Sequence, residues 1–431
     1  MIVVGGGPAG STAATLLARR GWSVALFEKE RHPRFHIGES LLPMNLPILE
    51  RLGVLEATRR IGVLKRGADF PAPTPEGYNV FRFERALDDS GTHAYQVRRD
   101  EFDELLFENA AAGGVRALEG HRVSSVDLGK DWITVEGESD DGRAFGCRGR
   151  YLVDASGRDT LLGSQLRTKR KSRHHQSAAL FAHFRGVERR AGDDAGNVSI
   201  YRFDLGWVWL IPLRGDITSI GAVCWPDFLK QRRGGNREFL LETLRSIPAL
   251  RQRMEHAEIV GNLHATGNYS YACSGMCGRR WIMAGDSYAF VDPIFSSGVY
   301  LAMHAAEQAA DVVDGALRDP GRERALQRRY ERGIRRGLAT LSWFIHRFTS
   351  PAMRKLFADP RNVLQVEQAM ISMLSGDVYR DNGVRWRLGV FKLIYRIASL
   401  GDFRDQMRSH LFRRRQARAV FSGGTTGQDS A

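Results

Sequence analysis

The sequence predicts an α/β fold, in which a parallel-sheet domain is interleaved with an antiparallel sheet and followed by helices. The first observation is a βαβ unit at the start of the chain. Ile2-Val3-Val4 is typical of a buried strand, Ser11 to Arg20 has the apolar spacing of a helix, and Val24 to Phe27 indicates the next strand. Strands connected in this way lie parallel in one sheet, with a right-handed crossover.

The second and third observations are changes of pattern further along the chain. Residues 66–95 and 166–265 alternate apolar and polar side chains, which predicts strands of one antiparallel sheet. After Pro320 the chain is rich in arginine and its apolar spacing is helical. Helices are also expected from Leu41 to about Gly53 and from Val299 to Leu317.

The predicted domains are discontinuous in sequence. At 431 residues the chain is longer than one hydrophobic core usually allows, so two intertwined domains are expected. Because the first strand begins almost at residue 1, we expect the natural start to lie a few residues upstream. The predicted boundaries are 1–65, 96–165 and 266–320 for the Rossmann-like parallel-sheet domain, 66–95 and 166–265 for the substrate-domain sheet, 321–422 for the helical region, and 423–431 for a disordered tail.

Composition limits the classes of protein to which the chain can belong. Hydrophobic residues make up 43% and charged residues 26%, as in ordinary globular proteins. No apolar run approaches the roughly 18 residues of a transmembrane helix, and the start is too short and glycine-rich for a secretory signal. Four cysteines make no disulfide framework, and no His or Cys pair completes a zinc site beside Cys273 and Cys277. We therefore expect a cytoplasmic protein with reduced thiols and no metal.

The formal net charge is +14, and the positive charge is concentrated late in the chain. Seven arginines lie between Arg322 and Arg336, and Arg413-Arg414-Arg415 is followed by Arg418. A solvated helical face with a disordered tail is the first interpretation. An acidic carrier protein is the second, because opposite charges attract, and no nucleic-acid partner is expected.

A glycine-rich segment follows the first predicted strand. In Gly5-x-Gly7-Pro8-Ala9-Gly10 the glycines let the backbone approach a pyrophosphate, which rests on the positive end of the following helix. Glu28 lies at the end of the second strand, 18 positions after Gly10, where a carboxylate can accept hydrogen bonds from a ribose. This pattern predicts a dinucleotide cofactor.

Three downstream segments resemble the FAD-binding fold shared with aromatic hydroxylases. They are Val97-Arg98-Arg99-Asp100-x-Phe102-Asp103, Asp154-Ala-Ser-Gly157 and Gly285-Asp286. The resemblance implies that Arg99 lies near the flavin and that Asp286 contacts its ribityl or diphosphate region. It also implies that the helix after Ser297 directs its N-terminus at the ring, where it stabilises the negative charge of reduced FAD. No second nucleotide fingerprint appears, which fits a separate NAD(P)H-dependent flavin reductase, although the hydroxylases lack one too.

Two further motifs resemble flavin-dependent halogenases. They are Trp207-Val-Trp209-Leu-Ile211-Pro212, in which residues 207, 209 and 211 share one face of a strand, and Phe290-x-x-Pro293-x-x-Ser296-x-Gly298. In that family two indoles stand between the flavin and the substrate, so Trp207, Trp209, Ile211 and Pro212 are the implied barrier. Buried core packing is the other interpretation of the two tryptophans. The turn from Pro293 to Ser296 is implied to present the amides of Ser297 and Gly298 to a halide.

The resemblance also implies a reaction. Reduced FAD and O2 give a flavin C4a-hydroperoxide, from which chloride or bromide takes an oxygen to form hypohalous acid. Lys65, in Leu64-Lys65-Arg66-Gly67-Ala68-x-Phe70, matches the family lysine that receives this acid and faces the substrate. A desolvated amine is nucleophilic, whereas the neighbouring guanidinium of Arg66 is not. A solvated loop lysine is the alternative.

One departure narrows the expected substrate. Halogenases of free tryptophan carry a glutamate directly before the serine of the Pro-x-x-Ser segment, and this chain has Phe295. A glutamate there can stabilise a cationic ring intermediate, and phenylalanine cannot supply that charge, so the sequence resembles the branch that acts on electron-rich phenols or pyrroles in secondary-metabolite biosynthesis. His36-Ile-Gly38-Glu39-Ser40 resembles that branch as well and would place Glu39 and Ser40 beside the flavin. Many of these relatives act on substrates tethered to an acyl or peptidyl carrier protein.

Two alternatives stay open. A FAD-dependent aromatic hydroxylase or a double-bond reductase would have the same fold. A basic nucleic-acid-binding protein with a vestigial flavin fold belongs to a different class. His174-His175 follows the basic stretch Lys169-Arg-Lys171, so an exposed loop is expected there rather than an acid–base pair.

Overall fold

The computed structural model describes residues 1–401, except for 73, 75–76, 88, 173–176, 233, 268–269, 359–362 and 381, together with residue 411. The predicted tail at 423–431, the arginines at 413–415 and 418, and the pair His174-His175 lie outside the described residues.

The described strands, in chain order, are β1 (Ile2–Val4), β2 (Ala25–Phe27), β3 (Val63–Lys65), β4 (Gly67–Pro71), β5 (Tyr78–Arg82), β6 (Ala94–Gln96), β7 (Arg116–Leu118), β8 (His121–Leu128), β9 (Ile133–Ser139), β10 (Ala144–Gly149), β11 (Leu152–Asp154), β12 (Lys169–Lys171), β13 (Ala178–Arg185), β14 (Val198–Phe203), β15 (Gly206–Pro212), β16 (Ile217–Cys224), β17 (Glu258–Thr266), β18 (Tyr271–Cys273), β19 (Cys277–Gly278), β20 (Trp281–Met283) and β21 (Ala289–Phe290).

The described α-helices are α1 (Pro8–Arg19), α2 (Leu46–Arg51), α3 (Leu55–Ile61), α4 (Arg99–Ala112), α5 (Leu161–Gln165), α6 (Pro226–Lys230), α7 (Asn236–Arg245), α8 (Pro248–Arg253), α9 (Gly298–Arg318), α10 (Glu323–Ile345), α11 (Pro351–Ala358), α12 (Val366–Leu374) and α13 (Gly383–Gly401).

The predicted βαβ unit forms the centre of a six-stranded sheet with the order β19-β20-β11-β1-β2-β7. All neighbours run parallel except β19 and β20, which are antiparallel. Ile2 and Val3 are fully buried, as expected for a parallel strand that is covered on both faces. Helix α1 packs against α9, and the small side chains Ala13, Ala306 and Ala310 let these two helices approach closely.

A seven-stranded sheet has the order β17-β13-β16-β15-β14-β4-β5, so residues 66–95 and 166–265 do share a sheet. It is not wholly antiparallel as predicted, because β14 and β4 run parallel, with Val198 opposite Ala68. The strands β3 and β6 form a separate two-stranded ribbon, and β12 joins β18 and β21 in a third sheet. Phe83, expected in a strand, lies in a 3-10 turn after β5. The domain boundaries themselves stay a prediction.

Three helices interrupt the segment predicted as strands. Helices α6 and α8 begin with Pro226 and Pro248, whose fixed backbone angle suits a first helical position. In α7, Phe239, Leu240 and Leu244 are buried against the outer face of the seven-stranded sheet. Strand β15 is therefore buried along its whole length, with one face toward these helices and the other toward the molecular centre.

The C-terminal part is helical, as predicted. Helix α10 turns Tyr330, Ile334 and Leu341 inward, and its arginines lie on the opposite side. The helix expected at Leu41 to Gly53 is shorter than predicted, since α2 starts only at Leu46, after a 3-10 turn at Pro43–Asn45. Within the described ranges, no helix has both the length and the apolar character needed to cross a membrane.

Candidate functional site

A cavity of about 330 Å³ lies between the parallel sheet and the seven-stranded sheet, a volume typical of small-molecule sites. Its floor is made by the loops that follow β1, β2, β11 and β20, together with the first turns of α1 and α9. Its other side is the inward face of β14 and β15. Because parallel strands all end at this edge, segments distant in sequence converge there.

The three glycines of the first loop have different surroundings. Gly5 has φ +101°, and an added Cβ would lie 2.2 Å from the carbonyl oxygen of Ala155. A Cβ on Gly10 would lie 1.7 Å from the Gly5 carbonyl oxygen, so both positions require glycine for packing. A Cβ on Gly7 would meet only Arg34 Nη2, at 3.6 Å, and would otherwise project into the cavity. The predicted close approach to a ligand therefore falls on Gly7, at the N-terminus of α1.

Glu28 lies at the end of β2 and lines the cavity, as expected. Its Oε2 accepts a hydrogen bond from Gly6 N at 2.6 Å, and its Oε1 accepts one from Glu30 N at 3.0 Å. The buried carboxylate thus holds the glycine loop in place. The predicted contact with a ribose stays a prediction.

Arg99 begins α4, is 5% exposed and lines the cavity. Its guanidinium donates to both oxygens of Asp103, with Nε–Oδ1 at 2.7 Å and Nη2–Oδ2 at 2.9 Å, and to the carbonyl of Ile37. Burial opposes the charge of Asp103, but the charge and hydrogen bonds of Arg99 hold the pKa of that carboxyl below its ordinary value. The sequence interpretation gave Asp103 no role, although the four-residue spacing from Arg99 on a helix indicates such a pair.

Gly285 and Asp286 follow β20 and enter the cavity from below. Gly285 has φ +67°, and its missing Cβ leaves room for Ala302 of α9. The carboxyl of Asp286 lines the cavity. Burial raises the pKa of Asp286 to about 6, while the positive charges of Arg158 and Arg99 lower it. This carboxyl is therefore suited to accept hydrogen bonds from a hydroxyl-bearing ligand.

Glu39 and Ser40 line the cavity beside each other, and each is held by a residue distant in sequence. Glu39 Oε1 lies 2.7 Å from Nε2 of His183 on β13. Its other oxygen, Oε2, is buried and has no hydrogen-bond partner among the described residues. Sequence reasoning missed His183, because nothing in the local pattern links β13 to the loop at residue 39.

Lys65, the predicted catalytic residue, lies at the end of β3 and is 1% exposed. Its Nζ donates to Ser40 Oγ at 2.9 Å and to the carbonyl of Leu41 at 3.0 Å, and it lies 5.2 Å from the centre of the Phe83 ring. Burial lowers the pKa of Lys65 to about 7. The alternative of a solvated loop lysine is therefore wrong. The cavity lining includes Ser40 but not Lys65, so the amine lies one hydrogen bond behind the cavity surface.

Trp207, Trp209 and Ile211 share the inward face of β15, as the strand period predicts, and all three line the cavity. The two indole centres are 5.8 Å apart. Trp209 Nε1 donates to Ser219 Oγ at 3.2 Å, and its ring lies over Gly221, where a Cβ would be 2.2 Å away. Pro212 ends the strand and is absent from the lining. The two tryptophans are thus packed in the core and also form one side of the cavity.

The segment from Pro293 to Gly298 turns sharply before α9. Asp292 accepts a hydrogen bond from Ile294 N, and Ser296 has φ +56°. Pro293, Ser296 and Gly298 line the cavity. The Oγ of Ser297 is buried and, within the described part of the chain, has no hydrogen-bond partner.

Phe295, the predicted substrate-pocket residue, is 5% exposed and packs edge-to-face on Phe348, with ring centres 5.5 Å apart. Neither it nor Ser297 is part of the cavity lining. Their proposed contacts with substrate and halide stay predictions.

The cavity fits a flavin dinucleotide. Gly7 leaves a cradle open at a helix N-terminus, where a pyrophosphate is stabilised. Arg99 and Arg158 place positive charges in the cavity lining, which also contains Glu39, whose buried Oε2 has no hydrogen-bond partner among the described residues. By contrast, His, Cys, Asp and Glu side chains of the described residues form no group of three arranged to hold a metal ion.

Comparisons with known proteins agree with this geometry. Residues 1–339 match the family model described as an FAD binding domain. The chain is 35% identical, over 323 residues, to a tryptophan 2-halogenase from Chondromyces crocatus; the match covers 74% of this chain and 61% of that protein. It is 28% identical, over 404 residues, to a 1H-pyrrole-2-carbonyl-(peptidyl-carrier protein) chlorinase from Pseudomonas fluorescens, with 88% and 89% covered.

A solved structure extends the similarity to three dimensions. The myxobacterial chondrochloren halogenase is 30% identical to this chain, with a TM-score of 0.73, and the match covers 89% of this chain and 91% of that one. That enzyme is described as a new variant of FAD-dependent halogenases.

Proposed function

We infer the reaction from one premise: the chain belongs to the flavin-dependent halogenase family. We propose that the protein uses reduced FAD and O2 to oxidise chloride or bromide, and that it halogenates an electron-rich phenol or pyrrole. Bound reduced FAD would supply two electrons to O2, so that one oxygen atom oxidises halide to hypohalous acid and the other leaves as water. The residues of this chain hold the cofactor, separate it from the substrate and pass the halogen on.

The position of the Lys65 amine is the observation that carries the proposal. Ser40 lines the cavity, and its Oγ accepts a hydrogen bond from Lys65 Nζ at 2.9 Å. Since burial lowers the pKa of Lys65 to about 7, much of the amine is unprotonated near neutral pH and has a lone pair available. In reaction with hypohalous acid the nitrogen–halogen bond forms, the oxygen–halogen bond breaks, and the displaced hydroxide leaves as water with an amine proton.

Trp207 and Trp209 would act as the barrier. Their rings line the cavity, so an aromatic substrate cannot approach the cofactor from that side without displacing them. Trp209 is fixed by its hydrogen bond to Ser219 and by its contact with Gly221. A rigid barrier favours halide, which is small, over direct oxygen transfer to a ring.

The substrate proposal depends on Phe295. Phe295 offers no charge to stabilise a cationic ring intermediate, and therefore a phenol or pyrrole, which is already electron-rich, suits the site better than a free indole. The relatives named for tryptophan and for a carrier-bound pyrrole are both similar to this chain, so their names alone do not decide the substrate.

Two partners belong to the proposal. A separate NAD(P)H-dependent reductase would supply reduced FAD. A carrier protein would present the aromatic substrate, which is supported by the similarity to a chlorinase named for a pyrrole on a peptidyl carrier protein and by the excess of basic residues in this chain.

The test is to supply the purified protein with reduced FAD, O2, bromide and a simple phenol, and to measure brominated product and flavin oxidation separately. We expect Lys65→Ala to reduce brominated product by about a hundredfold or more while flavin oxidation continues at the wild-type rate. Arg66→Ala is the matched control, because Arg66 is adjacent but partly exposed and faces Asp193.

Three outcomes would contradict the proposal. Oxygenated product without bromine would make the protein a hydroxylase. Loss of both product and flavin oxidation in Lys65→Ala would make the lysine structural. Equal losses in Lys65→Ala and Arg66→Ala would remove any special role of the buried amine. A competition between phenol, pyrrole and tryptophan at equal concentration tests the substrate class, and preferential bromination of tryptophan would overturn the argument from Phe295.

A further inference from the structure

The last described helix, α13, carries apolar side chains on two opposite faces. Its inner face packs into the core through four buried side chains, which are Val384, Leu388, Phe391 and Tyr395. Its outer face exposes four large apolar side chains, at 51, 56, 61 and 73% of their surface, which are Trp386, Leu393, Ile397 and Leu400. We call these four residues the outer stripe.

The spacing of the outer stripe makes it one continuous surface. At about 100° per residue, its members fall within about 60° of one another around the helix axis, over a length of about 21 Å. Leu364, which is 59% exposed, lies next to the stripe, because Arg387 beside Trp386 donates to its carbonyl at 3.2 Å. Exposed apolar surfaces of this kind usually mark a site that another molecule covers.

A cluster of positive charges lies along one side of the outer stripe. Arg347 and Lys392 both lie over the Trp343 ring, at 4.5 and 5.3 Å from its centre. Burial and the positive charges of Arg347 and Arg396 lower the pKa of Lys392. We call Arg347, Lys392 and Arg396 the cationic ridge, and none of the three forms an ion pair with a described residue.

The charges of α13 are all positive. The helix has four basic residues and no acidic residue. Lys392 and Arg396 are four residues apart and lie about 110° and 70°, respectively, around the axis from the middle of the outer stripe. On the other side of the stripe, the Arg387 guanidinium lies over the Trp386 ring at 4.5 Å and is held there by the Leu364 carbonyl and by Gln365 Oε1 at 2.6 Å.

The distribution of apolar and positively charged residues on α13 distinguishes between the molecules that could cover the outer stripe. A second copy of the chain would bring two cationic ridges together in a two-fold contact, and each copy has a net charge of +14, so repulsion opposes it. A helix lying on an anionic membrane has cations on both sides of its apolar face. A surface with apolar residues in the middle and cations along one side matches a partner helix with apolar residues flanked by carboxylates.

We propose that the outer stripe and the cationic ridge of α13 form the docking surface for an acidic helical carrier protein. This inference rests on the proposed function, in which the aromatic substrate arrives tethered. Leu393 and Ile397 would contact apolar side chains of the carrier helix, and Lys392 and Arg396 would pair with its carboxylates. The arginine-rich face of α10, which the sequence suggested for the same purpose, is the competing surface.

The experiment measures binding of the FAD-loaded full chain to two purified carrier proteins of acidic sequence, one acyl and one peptidyl, each with its phosphopantetheine arm. Fluorescence anisotropy of the labelled carriers gives the Kd at low and high salt. We expect Lys392→Glu/Arg396→Glu to weaken binding at low salt by about tenfold or more. Leu393→Ser/Ile397→Ser should weaken it by about tenfold at both salt concentrations, because that loss is apolar. Leu393, Arg396 and Ile397 are exposed and Lys392 is half-buried, so we expect the fold to tolerate these changes.

The matched control is Arg324→Glu/Arg328→Glu on α10, which makes the same charge change on exposed arginines elsewhere. It should leave the Kd within about twofold of wild type. If the α10 variant loses binding and the α13 variants keep it, or if neither carrier binds the wild type more tightly than the α13 variants, the proposal is overturned.

Other occupants are separate outcomes of the same set of variants. Co-sedimentation with phosphatidylglycerol vesicles that the α13 variants abolish, without carrier binding, would assign the surface to a membrane and overturn the proposal. A dimer in sedimentation velocity that the same variants dissociate would assign it to self-association. Bromination of a simple untethered phenol should be equal in wild type and α13 variants, so failure of the docking surface and failure of the halogenase proposal give different results.

Discussion

The two sides of Trp207 differ in how much space they leave. Toward the parallel sheet, Trp207 borders the cavity of about 330 Å³, whose lining is rich in glycine and charged side chains. On the other side, Trp207 borders a small pocket whose lining includes Phe348 and Ile345. Beyond it, the rings of Phe70, Phe348 and Phe357 lie 5.3 to 5.9 Å apart, centre to centre.

The difference shows which parts of the site are built by the backbone. The cofactor side is shaped by strand ends, glycine turns and helix N-termini, so it exists before any ligand binds. The far side is filled mainly by side chains from the end of α10, the segment after it and α11, together with Phe70 of β4. Its shape therefore depends on which residues those C-terminal elements carry, and substrate specificity is expected to reside there.

The largest effect should come from the glycine loop. Gly10→Ala places a Cβ 1.7 Å from the Gly5 carbonyl, and we expect a loss of more than about 4 kcal/mol in stability together with loss of FAD binding. Gly7→Ala has room in the fold but projects into the cavity, so it should keep wild-type stability and weaken FAD binding by about tenfold or more. Urea unfolding and flavin-fluorescence titration measure the two quantities. If both variants behave alike, the cavity is not shaped as described.

The second effect concerns the side of Trp207 that faces away from the cavity and is filled by aromatic side chains. Phe348→Ala should cost about 4 kcal/mol in stability, because the ring is fully buried. It should also enlarge the pocket beside Trp207, so that the ratio of bromination rates for a bulky and a simple phenol rises by about tenfold. Phe344→Ala is the control, since it is similarly buried but does not border that pocket. An unchanged ratio in Phe348→Ala would mean that the substrate does not occupy this region.

The third effect is a dependence of the stability on pH, which is caused by Lys65. Its pKa is about 7 in the folded protein and has an ordinary value of 10.5, so between these values the unfolded chain binds more protons and stability rises with pH. Lys65→Met removes the buried charge, and we expect it to be more stable than wild type near pH 6 by about 3 kcal/mol, because a pKa lowered from 10.5 to about 7 corresponds to about 5 kcal/mol and loss of the two hydrogen bonds of the amine offsets about 2 kcal/mol. The difference should shrink as the pH rises toward about 10. Urea unfolding across this range checks the sign, and a constant difference would contradict the burial of the amine.

The smallest effect tests the barrier itself. Gly221→Ala places a Cβ 2.2 Å from the Trp209 ring, which must tilt toward the cavity. We expect a loss of about 2 kcal/mol in stability and a weakening of FAD binding by about threefold. Gly333→Ala in α10 has nothing within 4 Å and should stabilise the protein slightly. Unchanged FAD affinity in Gly221→Ala would mean that Trp209 does not border the cofactor.

Local patterns predicted much of the cofactor side. The glycine loop, the βαβ unit and the shared face of Trp207 and Trp209 depend on residues close in sequence, and the structure confirms them. The interruption by α6 to α8 was missed because alternation was assumed to continue past Pro226. The parallel pairing of β14 with β4 depends on chain topology, which alternation does not encode.

Contacts between distant residues could not be predicted in the same way. His183 and Glu39 are 144 positions apart, and their pairing follows only from the way β13 lies over the loop after β2. The burial of Lys65 likewise depends on Ser40 and Phe83, which approach it from two different segments. The resemblance identified the lysine, but only the fold shows that its amine is held by Ser40 and by the carbonyl of Leu41.

The packing of α1 against α9 has a consequence for synthesis on the ribosome. The first helix emerges early, yet its partner ends at Arg318, and β1 needs β11 on its other side. Because synthesis adds roughly 5 to 20 residues per second, about 15 to 60 s pass between the synthesis of α1 and that of the end of α9. During this interval Ala13, Ala14 and Leu17 are exposed on the nascent chain. Chaperone demand should therefore be highest before residue 318 has been translated, and it should fall once α9 can dock.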